Sequence, residues 1–457
     1  MARVIVIGGG VSGLSFAWYL RRLKPGWEIL ILERAPRPGG KVWTAIEEGF
    51  VWERGVNGFL DNKPAALRLA GLLGLSLLKS NDSARRRFVV KDGDLLRLPE
   101  SPLALLRSKL LSPVGKVRLA LEPFIPKASA IKEESLAGFA IRRLGKEAFD
   151  YLIDPMAAGI YAGDPYALSL KACFPKIYEL EQGYGSLIRA MMVLKKEARR
   201  KGLNVPTAGP GGVLMSFAAG MNELVEALYR DLSDIVRLDT QVISIRRMGR
   251  DGFSCLTADG EEIEATHVVV ACPAREASRI MSRSFPAAAD AAFSIYYPPI
   301  SIVAIGVHER HLPGPLDGFG FLCPSREKRD ILGVLWDSSI FSGRAPSGYC
   351  LIRVLIGGAR APELARMPQE NIVQTALKEL KDLLGLKAGP EFVRVFKWDE
   401  AIPQYNVGHA DVVRRVVEGF DSDRIKIRCN WVGGVSLNDC VANSETLARE
   451  MAQDGNS

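Results

Sequence analysis

The sequence predicts an α/β fold with α+β insertions, and three observations lead to this class. The first residues give a short apolar run, a glycine-rich turn and an amphipathic stretch, in the order of a Rossmann-like unit. A leucine-rich, basic stretch between 101 and 200 predicts helices. Strand-like runs return at 242–271 and at 302–356, separated by turn residues. The Rossmann-like domain is therefore expected to be discontinuous in sequence, with one helical and one sheet-based insertion.

Length and composition exclude several classes of protein. The 457 residues suggest two or three domains, and 47% apolar with 25% charged residues is an ordinary globular profile. No apolar run approaches the roughly 18 residues of a membrane-spanning helix, and Met1–Val4 leaves no room for a signal peptide. Seven cysteines without a CxxC pair and four scattered histidines predict neither a disulfide framework nor a metal site. We expect a protein of the cytoplasm.

The positive charge is concentrated in one region. The formal net charge is +8, and the segment from Arg85 to Lys127 holds ten Lys and Arg residues against four Asp and Glu. Such a local excess indicates an anionic partner for that segment. Nucleic acid, lipid headgroups and an acidic small molecule all fit this pattern.

The amino-terminal glycines form the sharpest motif. The apolar run Val4–Ile7 is followed by the GxGxxG turn Gly8–Gly13, a helix to about Leu23, and a second strand that ends at Glu33. The glycines permit a tight turn and a close approach to a pyrophosphate, which the helix amino terminus attracts. Glu33 is placed to accept hydrogen bonds from a ribose. The expected cofactor-binding residues here are Gly8, Gly10, Ser12, Gly13 and Glu33.

The dinucleotide is predicted to be FAD, bound non-covalently. A second glycine pair, Gly39–Gly40, follows the second strand, and Asn430–Asp439 leads into a helix whose start could face a flavin. No second GxGxxG follows a strand: Gly318–Gly320 comes closest, and Pro324 prevents a helix there. A nicotinamide domain is therefore not expected.

Further motifs resemble those of the FAD-dependent protoporphyrinogen oxidases, within the flavin amine-oxidase superfamily. The motif GIYAGDP at Gly159–Pro165 and the motif GFGFL at Gly318–Leu322 are specific to that family. The remaining matches are Glu53–Leu60, Ile402–Tyr405 and Val435–Cys440. Two positions depart from the family pattern. Cys429 stands where the family usually has glycine before an asparagine, and Lys41 replaces an arginine.

The resemblance implies a fold and an activity. The fold is a cofactor domain of p-hydroxybenzoate hydroxylase type, a sheet-based substrate domain and a helical membrane-binding domain. The activity is oxidation of protoporphyrinogen IX to protoporphyrin IX in three two-electron flavin cycles in haem biosynthesis, with O2 or another electron acceptor. Coproporphyrinogen III oxidase, flavin amine oxidase and a non-catalytic flavin- or porphyrin-binding membrane protein stay open as alternatives. The expected domains are FAD-binding at 1–75, 213–285 and 415–457, substrate-binding at 76–100 and 286–414, and helical at 101–212.

The resemblance also implies roles for single residues. Arg87 would pair with a substrate propionate, although Arg85–Arg87 could be a solvated basic run. Leu322, Leu335 and Leu355, with Phe319 beside them, would sandwich the macrocycle, although strand leucines are usually core residues. The backbone carbonyl of Gly159 would face the pyrrole nitrogens, unless this glycine only ends a helix. Further cofactor contacts are expected from Arg34, Gly39, Gly40, Lys41, Gly55, Asn57, Gly58, Val242, Trp398, Val435 and Leu437.

The segment Leu103–Lys127 combines leucines with interleaved cations. It fits an interfacial element that binds an anionic membrane surface, and equally a core-packed helical hairpin with a solvated face. The family resemblance favours the membrane, on the inner face of the cell membrane. No nucleic-acid partner is expected, and a homodimer stays open.

Overall fold

The structure is a computed structural model that describes residues 2–128, 133–200, 212–249, 252–420 and 422–454. The chain forms two compact units. Unit 1 comprises Met1–Lys79, Val213–Tyr296 and Ala410–Ser457, and unit 2 comprises Ser80–Gly212 and Tyr297–His409. The predicted helical range 101–212 includes residues 129–132 and 201–211, which lie outside the described residues.

Unit 1 is built on a five-stranded parallel sheet in the order β10-β2-β1-β14-β20. Its strands are β1 Arg3–Ile7, β2 Glu28–Leu32, β10 Val236–Arg237, β14 His267–Val270 and β20 Ile425–Ile427. The central strands are almost continuously apolar and buried, which is the pattern of a parallel sheet covered on both faces. All strands are parallel, so their carboxyl ends meet at one edge, where the predicted glycine turn follows β1.

Helices and smaller sheets complete unit 1. The helix that follows the turn packs against the carboxyl-terminal helix, and both contribute to one apolar core with the sheet. The helices are α1 Val11–Leu23, α2 Pro64–Leu72, α11 Asn222–Leu232, α12 Ala274–Met281, α13 Pro286–Phe293, α17 His409–Glu418 and α18 Leu437–Asp454. The other strands are β3 Thr44–Glu47, β4 Phe50–Glu53, β5 Phe59–Leu60, β6 Leu78–Lys79, β9 Leu214–Ser216, β11 Val242–Met248, β12 Gly252–Thr257 and β13 Glu262–Ala265.

Unit 2 contains a seven-stranded sheet in the order β19-β15-β18-β17-β16-β7-β8. All neighbours are antiparallel except β16 and β7. The strands are β7 Arg87–Lys91, β8 Asp94–Arg97, β15 Ile300–His308, β16 Gly320–Leu322, β17 Gly333–Leu335, β18 Tyr349–Gly357 and β19 Phe392–Trp398. Strands β15, β17 and β18 confirm the strand-like runs predicted within 302–356.

The two faces of this sheet differ. Side chains alternate along each strand, so Val303, Phe321, Val334 and Val354 share one face. That face packs on the helix α16, Gln369–Leu384, and forms the core of unit 2. The opposite face carries Leu322, Leu335 and Leu355, and we call it the leucine face. The remaining helices near the sheet are α14 Asp337–Ile340 and α15 Pro362–Arg366.

The predicted helical stretch is confirmed in the described part of 101–200. Its helices are α3 Pro102–Arg107, α4 Pro113–Ala120, α5 Leu136–Leu144, α6 Lys146–Ala148, α7 Asp154–Tyr161, α8 Leu170–Cys173, α9 Pro175–Tyr184 and α10 Leu187–Arg200, with a π-helical turn at Phe149–Ile153. A buried ion-pair network ties these helices together. The fully buried Arg143 contacts Glu122 at 3.0 Å and Glu181 at 2.6 Å. Among the described residues no helix is long and apolar enough to span a membrane.

One part of the interfacial prediction is wrong. Leu110 and Leu111 are buried, and Leu110 packs with Val89 and Tyr151. The chain between α3 and α4 turns inward there, and the Lys91 ammonium donates a hydrogen bond to the Leu110 carbonyl at 2.8 Å. These two leucines are therefore packed inside unit 2 and are not available to a membrane surface.

Candidate functional site

The GxGxxG turn lies at the carboxyl edge of the parallel sheet, between β1 and α1. Gly8 has φ +117°, and a Cβ atom there would lie 2.8 Å from the Ala271 carbonyl oxygen. A Cβ at Gly13 would lie 2.1 Å from the Gly8 carbonyl oxygen. Both positions therefore require glycine, the first for the backbone turn and the second for close packing of helix against strand.

Gly10 differs from these two glycines, because the space in front of it is open. Its backbone has φ −71°, and the nearest atom to an added Cβ would be the Gly40 Cα at 4.0 Å. Gly10 is the N-cap of α1, and within the described residues no side chain caps this helix start and no acidic residue lies in its first turn. The positive amino terminus of α1 and the open space before Gly10 fit a pyrophosphate.

The predicted ribose-binding carboxylate lies beside this turn. The Glu33 Oε2 atom accepts a hydrogen bond from the Gly9 amide at 2.6 Å, and Oε1 accepts one from the Ala35 amide at 2.9 Å. Both oxygens are thus held at the sheet edge by backbone donors. Ser12 is buried, and its carbonyl accepts a hydrogen bond from the Ser444 hydroxyl of α18 at 2.9 Å.

The second glycine pair, Gly39–Gly40, contacts the GxGxxG turn. The Gly39 amide donates to the Gly9 carbonyl at 2.7 Å, and Gly39 and Gly40 both have positive φ. Glycine is also required at Gly55, since an added Cβ would lie 2.1 Å from the Lys41 carbonyl oxygen. Gly58, Asn57 and Lys41 also lie in unit 1. Predicted cofactor residues that are far apart in sequence are therefore gathered in the same unit.

Three predicted cofactor residues have other surroundings. Arg34 forms an ion pair with Glu276 at 2.8 Å and is largely exposed. Val242 begins β11 and is buried. Trp398 ends β19 in unit 2, where its ring packs edge-on against Phe396.

The carboxyl-terminal segment leads into α18. Val435 is half-buried and Leu437 is the buried first residue of this helix. The Ser436 hydroxyl accepts a hydrogen bond from the Asp439 amide at 3.2 Å, which caps the helix start. Cys429, the departure from the family pattern, is buried, and burial raises the pKa of its thiol to about 11. The thiol is therefore protonated at neutral pH.

The leucine face brings together the residues predicted to bind substrate in unit 2. Leu322 and Leu355 both align with Gly333 across neighbouring strands, and Leu335 aligns with Arg353. The three leucines are half-buried, unlike the fully buried residues of the opposite face. Residues that are 33 positions apart in the sequence thus form one apolar surface.

Gly159 packs against this surface. It lies within α7, so the expectation that it only ends a helix is wrong. A Cβ at this position would lie 3.1 Å from the Leu322 Cδ2 atom. Glycine is therefore the residue that lets α7 approach the leucine face closely.

Arg87 lies at the edge of the leucine face, and its environment differs from that of the two arginines before it. Arg85 is exposed and Arg86 pairs with Asp317. The Arg87 Nε atom is buried without a hydrogen-bond acceptor, and no described residue forms an ion pair with this side chain. Its guanidinium carbon lies 5.1 Å from the centre of the Phe319 ring. Burial lowers the pKa of the Arg87 guanidinium, and the Glu100 carboxylate opposes this shift without forming an ion pair, so the side chain is a desolvated cation without an ion-pair partner.

A buried ion pair on the same face was not predicted. Arg353 of β18 and Asp337 of α14 are both almost fully buried, and the Arg353 Nη2 atom lies 2.9 Å from the Asp337 Oδ1 atom. The signal in the sequence is the single arginine inside the apolar run Cys350–Ile356, because charged residues in such strands are rarely unpaired.

Comparisons with known proteins agree with this arrangement. The flavin containing amine oxidoreductase family matches residues 11–424. The chain is 33% identical to the chloroplastic protoporphyrinogen oxidase of Oryza sativa, over 99% of this chain and 88% of that protein. It is 29% identical to the coproporphyrinogen III oxidase of Bacillus subtilis, over 96% and 95% of the two chains. The crystal structure of a candidate protoporphyrinogen oxidase from Exiguobacterium sp. superposes with a TM-score of 0.84 at 25% identity, over 99% of both chains.

One cofactor, FAD, is indicated by the GxGxxG turn, by the second glycine pair and by the family match. A flavin in a dinucleotide-binding fold is FAD, and the open space before Gly10 would fit its pyrophosphate. The chain therefore belongs to the flavin containing amine oxidoreductase family and is an FAD-dependent oxidoreductase.

Proposed function

We propose that this chain oxidises protoporphyrinogen IX to protoporphyrin IX. The observation that carries the proposal is Arg87, a desolvated cation without a carboxylate partner at the edge of an apolar surface. A porphyrinogen is a mostly apolar macrocycle with propionates on one side, so it offers a complementary charge and a complementary surface. The names of the relatives in rice and Bacillus support the same class of substrate.

The residues of unit 2 would bind and orient the macrocycle. Leu322, Leu335 and Leu355 would contact its apolar face, and Arg87 would hold a propionate, which fixes the orientation. The backbone carbonyl of Gly159, on the helix that packs against Leu322, would face the pyrrole nitrogens of the ring. The residues of the glycine turn in unit 1 would hold FAD, which would supply the hydride acceptor for three two-electron oxidations. We propose O2 as the acceptor that takes the electrons onward.

The domain roles follow from this proposal. We assign FAD binding to 1–75, 213–285 and 415–457, which lie within or close to unit 1. We assign substrate binding to 76–100 and 286–414. The helical stretch 101–212 is proposed to bind an anionic membrane surface on the inner face of the cell membrane.

Arg87→Ala is expected to weaken porphyrinogen binding and to leave the FAD content unchanged. The variant removes the partner of a propionate, and a charge-assisted hydrogen bond of this kind contributes about 1.5–3 kcal/mol, or roughly ten- to over a hundredfold in affinity. The measurement is the dissociation constant of the porphyrin product in the purified variant. Arg85→Ala is the control, because Arg85 is exposed and belongs to the same triplet. Equal effects of the two variants would contradict the role of Arg87.

Coproporphyrinogen III is the second candidate substrate, supported by the Bacillus relative. It carries more propionates than protoporphyrinogen, so the two differ in the number of cations they need. Rapid anaerobic mixing of the purified protein with each porphyrinogen, and with a primary amine, separates the candidates. We expect protoporphyrinogen to bleach the flavin fastest. Faster bleaching by coproporphyrinogen would indicate a coproporphyrinogen III oxidase. Bleaching by the amine alone would indicate an amine oxidase.

The membrane proposal is supported by exposed apolar side chains on α3, α4 and the turn after them. The side chains of Leu106, Val114 and Phe124 are 62%, 78% and 76% exposed. The Lys116 ammonium lies among them and donates to the carbonyls of Leu106 and Ser108 at 2.9 and 2.7 Å. Apolar side chains next to cations are typical of surfaces that bind anionic lipid.

Binding to anionic liposomes is expected to weaken with salt without vanishing. Cations contribute about 1 kcal/mol each near an anionic surface and are screened by salt, whereas inserted apolar side chains are not screened. Replacing Leu106, Val114 and Phe124 by serine should abolish the salt-resistant part in a liposome sedimentation assay. A matched control replaces Ile243, Met248 and Val417, exposed apolar residues of unit 1, by serine. The proposal would be contradicted if the wild-type protein did not sediment with anionic liposomes at low salt.

A further inference from the structure

A second arginine without a carboxylate partner lies in unit 1. Arg428 directly follows β20, and its amide donates a hydrogen bond to the Val270 carbonyl of β14 at 2.9 Å. The parallel sheet places the ends of β14 and β20 at the edge that carries the Gly8–Gly13 turn. Arg428 is only 4% exposed. A buried cation thus lies at the cofactor edge of the sheet.

The guanidinium of Arg428 is incompletely satisfied. Its Nη2 atom donates to the carbonyls of Cys429 and Val432 at 2.9 and 3.1 Å, but its Nε atom is buried without an acceptor. No acidic side chain in the described part of the chain forms an ion pair with it. Arg143 and Arg353, which are equally buried, both pair with carboxylates. Burying a cation without an ion-pair partner is unfavourable, so this site favours an anion.

The surroundings of Arg428 carry further positive potential. The charges of Arg428 and Lys41 both act on the buried Cys429 thiol, where they oppose the effect of burial on its pKa. The loop that follows Arg428 leads into the amino terminus of α18, which carries a positive partial charge. Lys41 follows the glycine pair that contacts the dinucleotide turn. The positive charges therefore gather at the edge of the sheet where the dinucleotide binds.

We propose that Arg428 is a cofactor-site residue whose buried charge stabilises the reduced flavin over the oxidised flavin. A flavin that accepts two electrons and one proton gains one negative charge, whereas the oxidised ring is neutral. A fixed cation in a site of low dielectric lowers the free energy of the charged form and raises the reduction potential. This role is independent of which substrate the enzyme oxidises.

A purely structural role makes a different prediction. The two hydrogen bonds from Nη2 could serve only to hold the loop Cys429–Val432 in place. Arg428→Gln removes the charge but keeps an N–H donor for these carbonyls. Arg428→Lys keeps the charge. Lys426 lies on β20, two residues before Arg428, and is partly exposed. Lys426→Met therefore removes a charge outside the buried site.

The test is the midpoint reduction potential of bound FAD, measured spectroelectrochemically in the four FAD-loaded proteins. We expect Arg428→Gln to lower the potential, so that the preference for reduced over oxidised FAD falls by about tenfold or more. Arg428→Lys should retain most of the wild-type potential, and Lys426→Met should retain all of it. An unchanged potential in Arg428→Gln would overturn the proposal, as would equal shifts in the glutamine and lysine variants. If Arg428→Gln loses FAD, an Arg428→Lys variant with a markedly lowered potential would equally overturn it.

Discussion

A Gly10→Leu variant is expected to fold and to purify without FAD. The backbone at Gly10 has an ordinary negative φ, and no described atom lies closer than 4.0 Å to an added Cβ. The new side chain would therefore fill the space before the α1 amides, where we propose that the pyrophosphate binds. Losing two charge-assisted hydrogen bonds costs about 3–6 kcal/mol, which is a loss of more than about a hundredfold in affinity. The measurement is the ratio of flavin to protein absorbance.

Variants at two other glycines serve as controls for this test. Gly26 has no described atom within 4 Å of an added Cβ, so Gly26→Leu should fold and keep FAD. Gly13→Leu should fail to fold, because its Cβ would lie 2.1 Å from the Gly8 carbonyl oxygen. A folded Gly10→Leu protein that retains stoichiometric FAD would contradict the position of the phosphate site.

Asp337→Ala is expected to destabilise unit 2 by about 3–5 kcal/mol. Asp337 and Arg353 are both almost fully buried, and the variant removes the carboxylate that neutralises this guanidinium. Burial makes the loss of one partner costly, because the remaining charge cannot regain its hydration. Chemical denaturation followed by circular dichroism measures the change in the free energy of unfolding.

Two variants control for the loss of any ion pair. Glu100→Ala breaks the exposed pair with Arg97 and should cost less than about 1 kcal/mol. The double variant Asp337→Leu with Arg353→Met removes both charges and should be more stable than Asp337→Ala. Equal stability of Asp337→Ala and Glu100→Ala would show that burial does not make this pair important.

The residues at the sheet edge of unit 1 were largely predictable, because their physical requirements are local. Gly8 and Gly13 follow an apolar strand at a spacing that only a tight turn satisfies, and Glu33 ends the next strand. The strands of unit 2 were predictable from alternation. Their order was not, since β16 and β7 pair across more than 200 residues of sequence.

The residues that escaped prediction depend on distant partners. Leu110 has the same local pattern as the exposed Leu106, and only its packing against Tyr151 explains its burial. Arg428 resembles an ordinary surface arginine in sequence, and the role of Arg87 was expected from the family resemblance alone. Their lack of carboxylate partners emerges only when the chain is folded.

The most direct test of the account is an anaerobic titration of the FAD-loaded enzyme with protoporphyrinogen IX. Each porphyrinogen can deliver three pairs of electrons, so we expect one equivalent to reduce up to three equivalents of bound FAD, with the absorbance of protoporphyrin appearing in step. The Arg87→Ala protein should need a higher substrate concentration for the same extent of reduction. Flavin that remains oxidised at saturating protoporphyrinogen, in protein that a chemical reductant still bleaches, would contradict the proposed function.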